Sequence, residues 1–285
     1  MAHLQQRTPA WFAARKGKLT ASNLGAVLGQ VSYVSRLQAF RRVTGAEDFH
    51  GNAATQWGTE HEPDAIRQYE MMTGNAVQES GLWSHPTHDW LAGSPDGLIG
   101  NEGMIEVKCP FYFRRDGSGR VHQSVPPHYF AQVNCLMECC DRNWCDYISW
   151  APEGMAVFRV YRDTDTFNAL LPYYTHFYED MKAGLNKPRL LTAPHKEVIT
   201  QIINSAMQRS VDLDYHAHTM RLYFIGDSPP PPSSPQATPA LLTNKAFPNI
   251  IVPQEDGPAQ HLSIDEYAKY EAAKTILTLS KSRTA

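Results

Sequence analysis

The chain has 285 residues, 42% of them hydrophobic and 19% charged, and a net charge of −3. That length supports one large core, or a core with an appendage. The slight acidity argues against a generic nucleic-acid coat or a basic architectural protein, but leaves room for a local basic groove. Met1-Ala2-His3-Leu4-Gln5-Gln6-Arg7 lacks an apolar signal core, and no run of about 18 apolar residues follows anywhere. The expectation is a chain without a membrane span in the cytoplasm, or in the nucleus of a eukaryotic host. Four of the five cysteines cluster at Cys135, Cys139, Cys140 and Cys145. Reduced thiols are expected. Cys135 and Cys139, four apart on an expected helix, suit either core packing or a structural metal, and core packing is the default for small buried thiols.

In chain order, Thr8 and Pro9 open a helix over 8–15 as N-cap and first helical residue. Thr20 is placed to cap a second helix that Gly29 ends. Arg15 and Ser22 flank the junction, either as an anion site at a helix start or as a plain cap beside a surface arginine. A third helix is expected over 35–44. Helical periodicity recurs over 56–74, where Ala65, Ile66, Tyr69 and Met72 form a stripe and Glu62 lies on or beside it. A carboxylate facing inwards needs a partner, and a metal ion is one.

Two strands are expected, around 77–83 and 90–92. Ser94-Pro95-Asp96-Gly97 is turn chemistry, and Asn101-Glu102-Gly103 is a second turn. Together they read as a hairpin with Asp96 at one strand end. On its second strand Glu106 and Lys108 share one face, while Ile105 and Val107 point into the core. Two carboxylates and a lysine at one end of a sheet can hold a divalent cation through oxygens and set an ammonium beside bound water. The segment 111–123 interleaves Phe111, Tyr112 and Phe113 with Arg114, Arg115 and Arg120, which suits contact with a nucleic-acid strand or a solvated loop equally. A helix over 126–138 carries a buried stripe of Phe130, Val133 and Met137, with Gln132 beside it. Strands over 144–150 and 155–161 precede a helix over 164–183 that Pro172 is expected to kink or break. A helical pattern covers 193–226. Residues 228–235 read as a stiff polyproline linker, and a capped helix is expected from Ser263 to about residue 280.

Pro95-Asp96 with Glu106-Val107-Lys108 resembles the signature of the PD-(D/E)xK nucleases. The wider set of landmarks is similar to the lambda-exonuclease family, also described as YqaJ-type viral recombinases. These are Trp11-x-x-x-Arg15-x-Gly17 with Thr20-Ala21-Ser22, Trp57-Gly58-x-x-x-Glu62-x-x-Ala65, Ser94-Pro95-Asp96-Gly97-Leu98, Glu106-Val107-Lys108-Cys109-Pro110 and Tyr129-Phe130-Ala131-Gln132-Val133. They occur in the family's order. The resemblance implies an α/β (α+β) restriction-endonuclease-like core, with a central mixed sheet flanked by helices. It fills residues 1–226, followed by a linker (227–240) and an extension (241–285) with one helix.

The resemblance also implies roles. Asp96, Glu106 and the Val107 carbonyl would bind Mg²⁺, with Mn²⁺ as a substitute, and Glu62 would complete a site for two ions. Lys108 would orient or deprotonate the attacking water, and Gln132 would support the site. Arg15 and Ser22 would bind the 5′-phosphate, and Arg114 and Arg115 would touch DNA. The implied reaction is 5′→3′ degradation of one strand of linear duplex DNA to leave a 3′ overhang. The implied partners are DNA ends, a single-strand annealing protein and further copies of the chain in a ring-shaped trimer. From the residues alone, a structure-specific or restriction-like endonuclease and a non-catalytic DNA-binding module stay open. An extra acidic residue found upstream of the turn in some relatives has Asp89 as its nearest counterpart.

Overall fold

A computed structural model describes residues 4–47, 51–113, 119–216, 223–224, 250–254 and 257–262. The chain begins with helix α1 (Pro9–Arg15), where the Thr8 hydroxyl accepts from the Trp11 N–H and proline occupies the first turn. Gly17 then takes φ +77°, a left-handed turn that a Cβ would strain. It feeds strand β1 (Leu19–Thr20), a 3₁₀ turn (Ala21–Asn23) and the short helix α2 (Leu24–Val27). The Thr20 side chain makes no capping bond, contrary to expectation. Its oxygen accepts from the Arg15 guanidinium and the Asn23 amide instead. Helix α3 (Arg36–Val43) starts with a capping box between Ser35 and Gln38. Helix α4 (Ala53–Thr73) is capped by Asn52 and closed by Gly74 in the left-handed region. It passes Pro63 without ending, and buries Ala65 and Tyr69.

Strands β2 (Trp83–Ser84) and β3 (Leu91–Gly93) join β1 in a small sheet of order β1-β3-β2. The strand expected over 77–83 shrinks to β2 and one bridge from Gln78 to Leu98. The main sheet runs β4 (Gly97–Ile99), β5 (Gly103–Lys108), β6 (Trp144–Ala151), β7 (Gly154–Tyr161) and β8 (Tyr223–Phe224). Within it β5 and β6 pair in parallel, with Glu106 opposite Tyr147. Parallel neighbours need a crossover, and helix α5 (Pro127–Cys140) supplies it.

Alternation along β5 assigns its two faces. Ile105 and Val107 pack with Ile148, Trp150, Met155 and Val157 beneath Ala65 and Tyr69 of α4. Met104 belongs to the larger core formed with α2, α5, α6 (Thr164–Lys182) and α7 (Ala193–His216). Full burial of each such side chain is worth about 1.5–3 kcal/mol. The expected single stripe on α5 is too narrow, because every residue from Phe130 to Cys140 is buried. The helix has the sheet on one side and other helices on the rest. The four clustered cysteines lie in this core as free thiols.

Helix α6 continues through Pro172 rather than breaking. Helix α7 is described over Ala193–His216, and Tyr223 and Phe224, inside the helix expected over 193–226, instead form β8 by pairing with Ala156 and Met155. Strands β9 (Ile250–Gln254) and β10 (Gly257–Leu262) form an antiparallel ladder that the sequence patterns do not predict. The proline linker and the expected helix from Ser263 lie outside the described residues. Among the described residues no helix is long and apolar enough to cross a membrane. The result is a mixed α/β fold with its main sheet between helices.

One buried polar network pins α4 to this sheet. Asp146 of β6 accepts two bonds from Arg159 of β7, each 2.8 Å, and one from the Tyr69 hydroxyl at 2.6 Å. Burial, and then the Asp146 carboxylate, raise the Tyr69 pKa, so the phenol stays a donor. Asp146→Ala leaves Arg159 and Tyr69 without their acceptor, a loss of about 3–5 kcal/mol for a broken buried pair. Thermal melts followed by circular dichroism are expected to show a midpoint lower by about 6–20 °C. The control, Asp89→Ala at an exposed position, is expected to melt within a few degrees of the parent.

Candidate active site

The hairpin β4–β5 brings its carboxylates together through backbone register. Asp96 precedes β4, and its N–H donates to the Ile105 carbonyl at 3.2 Å. Its Oδ2 accepts from the Val107 N–H at 2.7 Å. Glu106, next along β5, is 2% exposed and faces α5 rather than α4. Its Oε1 accepts from the Gln132 amide at 2.6 Å and from the Lys108 ammonium. Lys108 also lies 5.0 Å from the Tyr129 ring centroid, a cation–π contact from the same helix that carries Gln132. The structure thus brings Asp96, Glu106, Lys108 and Gln132 to the carboxyl end of β5, beside the parallel pair.

Burial raises the Asp96 pKa, and the neighbouring Glu106 and Glu62 charges raise it further. Burial likewise raises Glu106, although Lys108 and Gln132 oppose the shift. For Lys108 burial alone would lower the pKa, but Glu106 and Asp96 overcome it and raise it. The lysine is therefore held as an ammonium.

Glu62 is near enough to influence both carboxylates, but its own side chain turns towards the N-terminal segment. Arg7 donates to its Oε2 at 2.6 Å. Arg7 has φ +64°, which is uncommon for a residue with a side chain. The adjacent Gln6 amide donates to the Pro95 carbonyl at 2.8 Å and the Ser80 carbonyl at 3.2 Å. Sequence reasoning missed this strap, because Gln5-Gln6-Arg7 has no periodicity and carries no motif.

Among the described residues, no three His, Cys, Asp or Glu side chains are gathered into a metal-ligating group. The donor set still fits a hard cation. Glu106 Oε2 is buried and has no hydrogen-bond partner among the described residues. A buried carboxylate oxygen without a donor is costly. A divalent ion bound by oxygens would satisfy it and relieve the repulsion between Asp96 and Glu106. Val107 stands between Glu106 and Lys108 at the same strand end.

A second constellation adjoins the first. Arg15 is half-buried, and its guanidinium stacks 4.1 Å from the Trp11 ring centroid. It donates to Thr20 Oγ1 at 3.2 Å, and that oxygen is 3.3 Å from Ser22 Oγ. The Trp11 indole N–H donates to Ser94 Oγ at 2.9 Å, tying Arg15 to the turn that carries Asp96. Burial lowers the Arg15 pKa to about 10. Among the described residues no carboxylate pairs with it. Trp11 was legible only as part of a motif, and its link to Ser94 spans 83 residues.

Arg114 and Arg115 lie outside the described residues. Beside them, Tyr112 and Phe113 are exposed, and Arg120 lies over the Phe113 and Trp57 rings.

A family model described as a YqaJ-like viral recombinase domain matches residues 10–143. An alkaline exonuclease, LHK-Exo from Laribacter hongkongensis, is 30% identical, with 72% of this chain and 100% of that chain covered and a TM-score of 0.52. The structure of LHK-Exo in complex with dAMP matches at 29% identity, 72% and 100% coverage and a TM-score of 0.53. Uncharacterized protein R354 of Acanthamoeba polyphaga mimivirus is 25% identical over 157 residues, which is 50% of this chain and 29% of that protein. The match spans less than a third of the mimivirus relative. From the motifs, the β5-end cluster and the full-length likeness to the Laribacter enzyme, this chain belongs to the YqaJ-like viral recombinase family and is a nuclease.

Proposed function

We propose that the protein is a Mg²⁺-dependent 5′→3′ exonuclease acting on one strand of linear duplex DNA. It would leave a 3′ single-stranded overhang for a strand-annealing partner, and work as a homo-oligomer. The observation that carries this reading is Arg15. A half-buried guanidinium that no carboxylate pairs with among the described residues, set beside the Thr20 and Ser22 hydroxyls and joined through Trp11 to the Asp96 turn, is suited to an anion. In a nuclease, the anion one step from the cutting site is a DNA phosphate. The dAMP in the LHK-Exo complex is a mononucleotide, the kind of product that stepwise cutting of a DNA strand releases.

The carboxylates of Asp96 and Glu106 and the carbonyl of Val107 would hold Mg²⁺, or Mn²⁺ in its place, with Glu62 completing the set through a second ion or a water. Bound there, the cation supplies charge stabilisation at the phosphodiester's attacking and leaving oxygens. Gln132 fixes the Glu106 rotamer from α5. Lys108, kept protonated by its ion pair with Glu106, would orient the attacking water. Arg15 and Ser22 would grip the 5′-phosphate and so set which phosphodiester meets the carboxylates. Each cut exposes a new 5′-phosphate, and the same grip would draw the strand forward.

Glu106→Gln keeps the size and the Gln132 contact but removes a charge. The expected loss is about 4 kcal/mol of transition-state stabilisation, or about a thousandfold in rate. Release of nucleotides from linear duplex measures it, and anisotropy with labelled duplex checks that DNA binding survives. A near-parental rate would remove the hairpin from the chemistry.

Arg15→Ala tests polarity. A charge-assisted hydrogen bond is worth about 1.5–3 kcal/mol, so degradation of 5′-phosphorylated ends is expected to fall about 10- to 100-fold. The slower reaction on 5′-hydroxyl ends is expected to change less than about twofold. Equal parental rates on both ends, unaltered by the substitution, would assign Arg15 to the surface instead. Covalently closed circles are expected to stay intact, and their cleavage would favour an endonuclease.

A chain ended before Ser228 retains every motif residue. It is expected to degrade linear DNA at a rate within about threefold of the full chain. A folded truncation that binds DNA but no longer cuts would bring the extension into the active site.

A further inference from the structure

Arg15 also lines a chamber of about 640 Å³. Its volume falls within the roughly 300–1,000 Å³ of pockets that take small ligands. Its walls are the end of α1, the β1 entry, the C-terminal end of α3 and the C-terminal end of α6. Arg15, Lys16, Lys18, Arg42 and Lys182 line it, and among the described residues no aspartate or glutamate does. In a chain of net charge −3 this concentration of cations runs against the overall balance. Arg42 pairs with Glu47 at 3.4 Å, a carboxylate outside the lining. Arg42 and Lys182 occupy the last turns of α3 and α6, where the carbonyl ends of the helices favour cations. Helix ends thus help to hold like charges together around the chamber. Phe12, 59% exposed, forms an apolar wall. Thr20 and Asn23, from the turn that carries Ser22, form the wall shared with the phosphate grip.

The geometry points to a subsite for a single-stranded 5′ extension, and we propose that the chamber receives the one or two nucleotides that lie beyond the phosphate held at Arg15. The proposal rests on the reading of Arg15 and Ser22 as the phosphate grip. The ligand chemistry is two or more consecutive phosphodiesters with a base face for Phe12. On such an end Arg15 would grip an internal phosphodiester instead of the terminal phosphate. Water then adds to the phosphorus of the next phosphodiester, and its bond to the O3′ of the released fragment breaks. A proton from the water passes to that O3′, and the retained strand keeps the new 5′-phosphate. The first product is a di- or trinucleotide with a 3′-hydroxyl, and later products are mononucleotides.

The test uses the full chain with two 5′-phosphorylated duplexes, one blunt and one with a short 5′ overhang. Binding is measured by anisotropy in EDTA across a salt series, and first products are sized with Mg²⁺ present. The variants are Lys16→Ala/Lys182→Ala and, as charge-preserving control, Lys16→Arg/Lys182→Arg. Both positions are exposed, and thermal melts confirm folding. For overhang DNA the alanine pair is expected to flatten the log Kd against log salt slope by about 0.7 per lost phosphate contact. The arginine pair is expected to restore it, and the blunt slope to move by less than half as much. Parental enzyme is expected to release a di- or trinucleotide first from the overhang and a mononucleotide from the blunt end. An equal slope change on both ends, no change on either, or a mononucleotide as first product from the overhang overturns the subsite. The parental comparison of blunt 5′-phosphate and 5′-hydroxyl ends separates this from the underlying reading. Loss of that preference sinks the phosphate grip itself, whereas its persistence with lysine-insensitive overhangs sinks only the subsite.

Discussion

Asp96 and Glu106 are carboxylates forced into one poorly solvated corner, and much of the surrounding structure compensates for their repulsion. The antiparallel register of β4 and β5 fixes the Asp96 backbone against Ile105 and gives its side chain the Val107 N–H. Lys108 and Gln132 both donate to the same oxygen of Glu106. The other oxygen has no donor among the described residues. Burial raises both carboxyl pKa values, and for Asp96 the Glu106 charge adds to the rise. Such a corner, electrostatically unfavourable as protein alone, would favour a divalent cation bound by its oxygens.

The parallel pairing of β5 and β6 has a mechanical consequence. It requires α5 to cross over the sheet, and α5 is therefore buried from Phe130 to Cys140. A helix so enclosed has little freedom, and Gln132 and Tyr129 inherit that rigidity. Gly93 shows how close the approach is: a Cβ there would stand 2.3 Å from a Leu136 methyl. Glycine at this point lets β3 come up beneath α5, and so sets the height of the Ser94–Asp96 turn relative to the helix.

The N-terminal segment serves the same corner. Gln6 clasps the Pro95 carbonyl, Arg7 engages Glu62, and Trp11 holds Ser94. Three residues within six positions thus grip the turn before Asp96 and the carboxylate on α4. A left-handed Arg7 persists because contacts on both sides specify it. The chain enters the fold across the corner that holds Asp96 and Glu62, and the stacked Trp11–Arg15 pair carries that placement to the Thr20 and Ser22 hydroxyls.

The sequence by itself determined the hairpin, because turn chemistry and strand alternation are local. Pro95 and Gly97 bracket Asp96, and a period of two puts Glu106 and Lys108 on one face. It also determined the order of the landmarks, and with it the family. It did not determine the partners of Glu62, since Arg7 lies 55 residues away and no local pattern joins them. It misjudged Thr20, whose hydroxyl was free to choose between capping a helix and receiving Arg15. It underestimated the burial of α5, because a helix covered on all sides reads locally like one with a single apolar stripe. It placed helix where β8 forms, because a short edge strand exists only through its pairing with β7. The basic chamber was invisible for the same reason: its cations come from α1, the β1 entry, α3 and α6, and only packing of those ends against one another makes them a single surface.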